Sequence, residues 1–411
     1  MDRRAATAAL LGVFLLTRAA LCFLAIDPEA YRPSGRGVGG DANLYARYAA
    51  EIGAGGVPYR DVAIEYPPGA LPVVLAPTAV AGAVGYRAGY VGLMLLIDAL
   101  GLAGLWWLGR RWGSRAGAWL WVAGLPLLGP IAYLRLDLVP AVLTIAAVAL
   151  TAVGRWGLSG GALGAGALVK LYPGLLVLPV LAGAARRWPR VVVGAAVVGL
   201  GGMLTAAGVM GDLLRSVFGY HLDRGIQMES TWASVLLLQR LAGAPVEVPF
   251  DFGAYQVAGP GAGTLEVVAT VAAVVALLVG TATAAVVRRR VDATVGDAEA
   301  PGDRDAARAR ALAAPLFATM ALLLATGSVF SPQYVLWALG LGAAALTVRG
   351  TPVAGAAWLL LPVAALSQVV YPVVYTAILD GEPLATGVLV VRNVLVVALA
   401  LWATVGTLRS G

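Results

Sequence analysis

The residues best suited to chemistry collect in one polar stretch between the first two apolar segments. It runs from Gly39-Gly40-Asp41-Ala42-Asn43-Leu44-Tyr45 through Tyr59-Arg60-Asp61 to Glu65-Tyr66-Pro67-Pro68. Asp41 follows a glycine pair, and Tyr45 and Tyr48 share its face if a short helix starts there. Such an aspartate can simply cap that helix. It can also act as a general base, because a carboxylate beside a recessed apolar wall is tuned toward taking a proton from an alcohol. Tyr59, Asp61, Glu65 and Tyr66, with Arg60, are the groups available to hold a hydroxyl-rich acceptor. Pro67-Pro68 fixes the angle at which the chain returns to apolar sequence.

A second group consists of cations in apolar surroundings. Lys170 is the only lysine among 29 basic residues and lies in Gly166-Ala167-Leu168-Val169-Lys170-Leu171-Tyr172-Pro173. An ionisable side chain within a membrane is costly unless paired or wet, which makes it a functional candidate; snorkelling is the bland alternative. Pro173 breaks the helix, and the flanking pieces of about 13 residues, roughly 20 Å each, imply a recess. Counted along the expected helices, Arg18 and Arg392 lie roughly 10 Å below the outer boundary and Arg135 near it. Four cations at one level suit the phosphate of a lipid with a long apolar tail. Internal pairing with Asp98 and Asp137 is the competing account, and Asp98, nearer mid-membrane, reads as structural.

Further along, His221, Arg224 and Gln227 recur every third residue, with Glu229 and Ser230 just beyond. On a helix the three share a face. The only histidine, beside an arginine, could donate to a departing phosphate or merely cap a surface helix. No HExxH, CxxC or carboxylate cluster of metal spacing occurs, so neither a metal nor a resident cofactor is expected.

The elements that must position these groups are membrane helices. With 60% hydrophobic and 12% charged residues in 411, the chain reads as an all-α polytopic membrane protein. At about 20 residues per span the length allows roughly ten to thirteen helices. Twelve are expected, over residues 5–26, 86–109, 116–134, 138–154, 158–171, 173–185, 190–210, 264–287, 311–328, 333–348, 352–371 and 386–408, within a single integral domain 1–411. The N-terminal Arg3-Arg4 and the apolar run after it read as a retained helix rather than a cleaved signal. Cys22 has no partner, so no disulfide framework exists.

Twelve crossings place both termini in the cytoplasm and put most arginines on that side, as the positive-inside rule requires. Two large outer loops result, residues 27–68, the catalytic candidate, and 211–263. Residues 69–84, interrupted by Pro72 and Pro77, read as a juxtamembrane or re-entrant helix. Residues 291–310 read as a mobile cytoplasmic linker. Repeated glycines such as Gly160-Gly161-Ala162-Leu163-Gly164 read as close helix packing, not as a phosphate loop.

This pattern resembles the GT-C membrane glycosyltransferases and, more narrowly, glycosyltransferase family 87, the polyprenyl-phosphate-mannose-dependent α-mannosyltransferases. The matching residues are Asp41 with Tyr45, Gly56 to Tyr59 and Asp61, Tyr66-Pro67-Pro68, Lys170-Leu171-Tyr172-Pro173, Gln227 with Ser230, and Ser331-Pro332-Gln333-Tyr334. The resemblance implies a polyprenyl-phosphate-sugar donor, with mannose as the sugar and an arabinofuranosyl donor as the other option among related enzymes. Transfer would occur outside the cytoplasmic membrane, with inversion, onto a lipid-linked or glycan acceptor. Asp41 would be the base, Lys170 and Tyr172 would belong to the donor-phosphate segment, and Gln333 and Tyr334 would line the cavity. By depth and loop chemistry rather than by the resemblance, the growing phosphate charge is expected to be held by Lys170, Arg135, Arg392 or the His221-Arg224 pair, with Gln227 and Glu229 facing substrate.

Two other classes compete. A transporter or lipid flippase would place buried charges along a path and show an inverted repeat, and no repeat is seen. A non-catalytic assembly protein of the cell envelope would tolerate loss of Asp41. Nucleic-acid binding is disfavoured, because the net charge of +7 sits in connections between spans.

Overall fold

In hydrocarbon a backbone satisfies its polar groups only by forming helices or closed barrels, and the long apolar stretches of this chain are helical. The structure is a computed structural model that describes residues 3–27, 29–33, 38–210, 213, 224–294 and 301–409. Seven described helices are long and apolar enough to cross a membrane: Arg4–Ile26, Tyr86–Trp112, Ala185–Gly208, Ala262–Thr294, Ala306–Thr326, Ala354–Val373 and Pro383–Arg409. Six shorter apolar helical segments pack among them, Ala70–Val84, Ala116–Leu127, Leu138–Ala152, Trp156–Val169, Tyr172–Gly183 and Pro332–Leu346. The chain is an all-α polytopic membrane protein. Its only described sheet is the two-stranded hairpin of Phe250–Asp251 and Ala254–Tyr255.

The short helices matter because their breaks fall at one end of the bundle. Ile131–Leu134 stops at Arg135, whose backbone is extended (φ −126°, ψ 153°). Trp156–Val169 stops at Lys170, also extended (φ −156°, ψ 132°). Ser331 is extended before the 3-10 turn Pro332–Tyr334. Each break lets a polar side chain leave a helix within the bundle instead of at a loop outside it. We call this the site end.

Both ends of the 70–84 segment lie there too. The Gly69 amide donates to Leu168 O at 2.7 Å, and Arg87 Nε donates to Ala25 O at 2.6 Å. The opposite end gathers arginines on backbone and hydroxyl acceptors: Arg115 on Thr7, Arg288 on Ala182 O, Arg290 on Leu408 O and Arg349 on Gly113 O.

Of the expected linker 291–310, the described residues 291–294 and 301–310 are helical. Asp292 accounts for this by accepting Arg288 Nη1 at 3.2 Å from the same helix and Arg308 Nε at 2.6 Å from the next. Small residues bring other helices together: a Cβ on Gly194 would stand 1.8 Å from Gly157 O, and one on Gly160 would stand 2.1 Å from Val191 O.

Arg18 belongs to this packing and not to the site. Arg18 Nε donates to Asp98 Oδ2 at 2.8 Å and Nη1 donates to Val122 O at 2.7 Å, both residues being at most 2% exposed. Trp121 Nε1 and Tyr133 Oη also donate to Asp98, at 2.6 and 2.5 Å. Removing one partner of a buried pair leaves an uncompensated charge. Arg18→Met should therefore lower stability by about 3–5 kcal/mol. Thermal unfolding in detergent should show the loss, and Arg18→Met/Asp98→Asn should recover most of it.

Candidate active site

A cavity of about 590 Å³ opens at the site end, and Asp41, Arg135 and Lys170 all line it. Asp41 sits in the first turn of the Gly40–Gly53 helix. Gly39 precedes it because the Arg87 guanidinium occupies the space a Cβ would need, at 2.4 Å. The Asp41 carboxylate forms an ion pair with Arg135 and accepts Tyr66 Oη at 3.4 Å. Burial holds the Tyr66 phenol well above the ordinary tyrosine range, so it faces Asp41 as a hydrogen-bond donor.

Around Tyr66 the first loop works as a scaffold, in which Tyr45, Tyr59 and Asp61, expected to touch substrate, bond to the loop itself. Tyr45 is fully buried and donates its hydroxyl to Tyr66 Oη at 3.2 Å. Tyr59 is also buried and donates to Tyr66 O at 2.8 Å. Asp61 accepts the Val57 amide at 2.9 Å and pairs with Arg60 on the surface, closing a turn. None of the three lines the cavity; Glu65 and Tyr66 do.

On the cationic wall, Lys170 Nζ donates to Asp137 Oδ1 at 2.7 Å, and Trp337 Nε1 donates to the same oxygen at 2.8 Å. The ammonium also lies 4.7 Å from the Tyr334 ring centroid and 5.4 Å from that of Trp337. Asp137 thus pairs with Lys170 and Asp98 with Arg18, while Lys170, 17% exposed, still reaches the cavity. Tyr172, expected to touch substrate, is buried with its ring stacked 4.0 Å from Trp337, on whose other contact, Tyr334, the stacking distance is 3.9 Å. Tyr172 props the wall and Tyr334 faces the cavity.

The second loop closes the opposite side. Gln227 Nε2 donates to Ser331 Oγ at 2.9 Å, and Gln227 Oε1 accepts the Phe330 amide at 2.8 Å. This clamp joins two segments a hundred residues apart and sets Gln227, Gln333 and Arg224 on the cavity wall. His221 lies outside the described residues.

Arg392 does not line the cavity: it is fully buried, donates Nη2 to Glu229 O at 2.7 Å and stacks 4.2 Å from the Phe330 ring centroid. It acts behind Glu229 rather than on substrate. Glu229 itself is 3% exposed and lines the cavity. Burial pushes its carboxyl up to about 7, against the opposing pull of Arg392 and Arg135.

That shift has a stability consequence with a definite sign. With a carboxyl raised from 4.5 to about 7 on folding, the folded state binds the proton more tightly. The stabilisation is complete below about pH 4.5 and is lost as pH rises through 7. Melting temperature should fall across that window, and Glu229→Gln should flatten the dependence; an equal slope in the variant would refute it.

Several lining residues had no sequence signal singled out for them. Arg32, Phe250, Phe252, Tyr255, Tyr371 and Tyr375 come from the hairpin, from the first loop and from the break before the last long helix. Phe252 takes a positive φ of 48° beside Gly253 (φ 68°), the tight reversal that turns the hairpin.

The sequence model of glycosyltransferase family 87 matches residues 64–301, more than half of the chain. No curated protein matches. Among solved structures, ArnT from Cupriavidus metallidurans, described as bound to undecaprenyl phosphate, aligns at 16% identity with a TM-score of 0.49. The alignment covers 99% of this chain and 77% of that one.

Proposed function

The chain belongs to glycosyltransferase family 87, and on that premise we propose that it transfers a sugar, mannose, from a polyprenyl-phosphate-sugar donor to a glycan or lipid-linked acceptor. The observation that carries this reading is one cavity holding a carboxylate, Asp41, and two cations, Arg135 and Lys170, at the end of the bundle remote from the clustered arginines. By the positive-inside rule that remote end is the outer face, and both termini are cytoplasmic.

The reaction is a single displacement. An acceptor hydroxyl oxygen attacks the anomeric carbon and forms the new C–O bond while the bond from that carbon to the phosphate oxygen breaks. The bonding pair leaves with the phosphate, the hydroxyl proton passes to Asp41, and the anomeric configuration inverts. Lys170, Arg135 and Arg224 face the growing phosphate charge. Fixed cations aimed at developing charge, in a site shielded from water, are commonly the largest catalytic contribution.

Arg135 has a second part, since an incoming donor phosphate competes with Asp41 for its guanidinium and so frees the base. The displacement as written uses no metal and no resident cofactor. The donor's apolar tail lies among helices, so the site needs a membrane scaffold. Purified full-length protein, supplied with a mixture of glycan and lipid-linked acceptors, should release polyprenyl phosphate from polyprenyl-phosphate mannose when that donor is offered in a panel of such sugars. Release from a different sugar only would overturn the choice of mannose, and release from none would overturn the reading.

A further inference from the structure

A second cavity, of about 660 Å³, lies at the arginine-rich end, and no residue lines both it and the transfer cavity. It is a groove between the helix Trp156–Val169 and the long helix Ala185–Gly208. The two run side by side in the same direction, since Gly157 faces Arg190, Gly164 meets Gly199 and Leu168 meets Gly202. The first stops at Lys170, at the site end, so both helices begin at the groove. Gly157 and Gly194 line it without side chains. Val193 and Val197, 59% and 68% exposed, give it an apolar wall.

The mouth of this groove is cationic. Arg155 and Arg190 both line it, both are exposed, and among the described residues neither side chain has an ion pair or a hydrogen bond. Elsewhere at this end Arg115, Arg288 and Arg349 find acceptors on the protein. Residues 138–210, which supply the whole lining of the groove, contain no aspartate or glutamate. The two helix N-termini add partial positive charge at the same place. Trp156, also in the lining, is fully buried, and its Nε1–H has no acceptor among the described residues. Buried donors are normally satisfied, so this one marks a position for an acceptor on a ligand.

An inorganic anion would satisfy the arginines and leave the valines bare. A neutral lipid would cover the valines and leave the arginines without a partner. A second copy of this chain, meeting the groove symmetrically, would bring its own arginines to the same mouth. The ammonium of a zwitterionic head group would find no carboxylate. A phospholipid with net negative charge meets every requirement, with a phosphate for the arginines, ester carbonyls as acceptors just beneath it, and an acyl chain for the apolar wall.

We infer that this groove holds an anionic phospholipid of the cytoplasmic leaflet, on the orientation taken above, with its phosphate between Arg155 and Arg190 and one acyl chain along Val193 and Val197. The site is independent of the transfer reading, because it shares no residue with the transfer cavity.

Native mass spectrometry of the full-length protein, titrated with dioleoylphosphatidylglycerol and separately with dioleoylphosphatidylcholine, tests the site. The first phosphatidylglycerol should bind about tenfold more tightly than phosphatidylcholine, and Arg155→Gln/Arg190→Gln should remove that preference. Arg110→Gln/Arg111→Gln takes the same charge from the same end outside the groove and should change the affinity by less than about twofold. Val197→Trp keeps both arginines, fills the groove from an exposed position, and should weaken binding by a factor comparable to the groove arginine pair. Equal affinity for the two lipids, equal losses in the two arginine pairs, or unchanged binding in Val197→Trp would overturn the inference. Displacement of the lipid by excess inorganic phosphate would also overturn it, by making this a site for a free anion. So would a lipid-free dimer that Val197→Trp dissociates, which would give the groove to a second copy of the chain.

Discussion

Asp41→Asn should abolish measurable transfer, with kcat lowered by about 10³-fold, within the range that positioned general bases supply. Asparagine keeps the size of the side chain and its place in the first turn of the Gly40–Gly53 helix, and it can still accept from Tyr66. It cannot take a proton. It also cannot form the ion pair with Arg135, so Arg135 becomes more available to the donor phosphate. The donor KM should therefore hold or fall while kcat collapses. A pure binding defect would raise KM and spare kcat, and a merely capping aspartate would lower the melting temperature with little effect on turnover. Both partners are partly exposed, at 17% and 21%, so the stability change should be small. Unchanged turnover in a folded Asp41→Asn variant would remove the base from the mechanism.

The contrast between Lys170 and Arg392 shows what a sequence makes legible here. Depth along a helix follows from counting residues, and the level of the cations was readable in that way. Azimuth does not follow, because a nearly uniform apolar helix carries no stripe to say which side faces a cavity. Arg18 and Arg392 therefore sit at plausible depths yet turn into the bundle, toward Asp98 and the Glu229 carbonyl. Lys170 was readable because Pro173 marks a break beside it, and a break frees the side chain from helical geometry. Asp41 was readable because it opens a short helix directly after a span.

Tyr45, Tyr59 and Asp61 were recognised as belonging to the site by their neighbourhood in the chain. Their individual roles depend on the direction of each side chain within a turn, and there they brace Tyr66 or close the loop. The aromatic lining of the cavity is assembled from residues more than a hundred positions apart, with neither helical nor strand periodicity to connect them. Only tertiary packing brings Tyr255 to Tyr375.

Lys170→Met should lower kcat/KM for the lipid donor by about 10²–10³-fold, the usual cost of removing one fixed group that stabilises transition-state charge. Methionine retains length and packing against Tyr334 and Trp337, so the loss would report the charge. The substitution has a second effect that must be separated. Asp137 is 2% exposed, and without Lys170 it keeps, among the described residues, only the Trp337 indole as a side-chain donor. A buried carboxylate stripped of its cation costs about 3–5 kcal/mol, and the resulting instability could be mistaken for lost chemistry. The double variant Lys170→Met/Asp137→Asn resolves the two. It should regain most of the melting temperature, because a neutral amide can still accept from Trp337, and it should remain as inactive as the single variant. If activity returned with stability, Lys170 would be a counter-ion for Asp137 and nothing more, and the phosphate would have to be held by Arg135 and Arg224 alone.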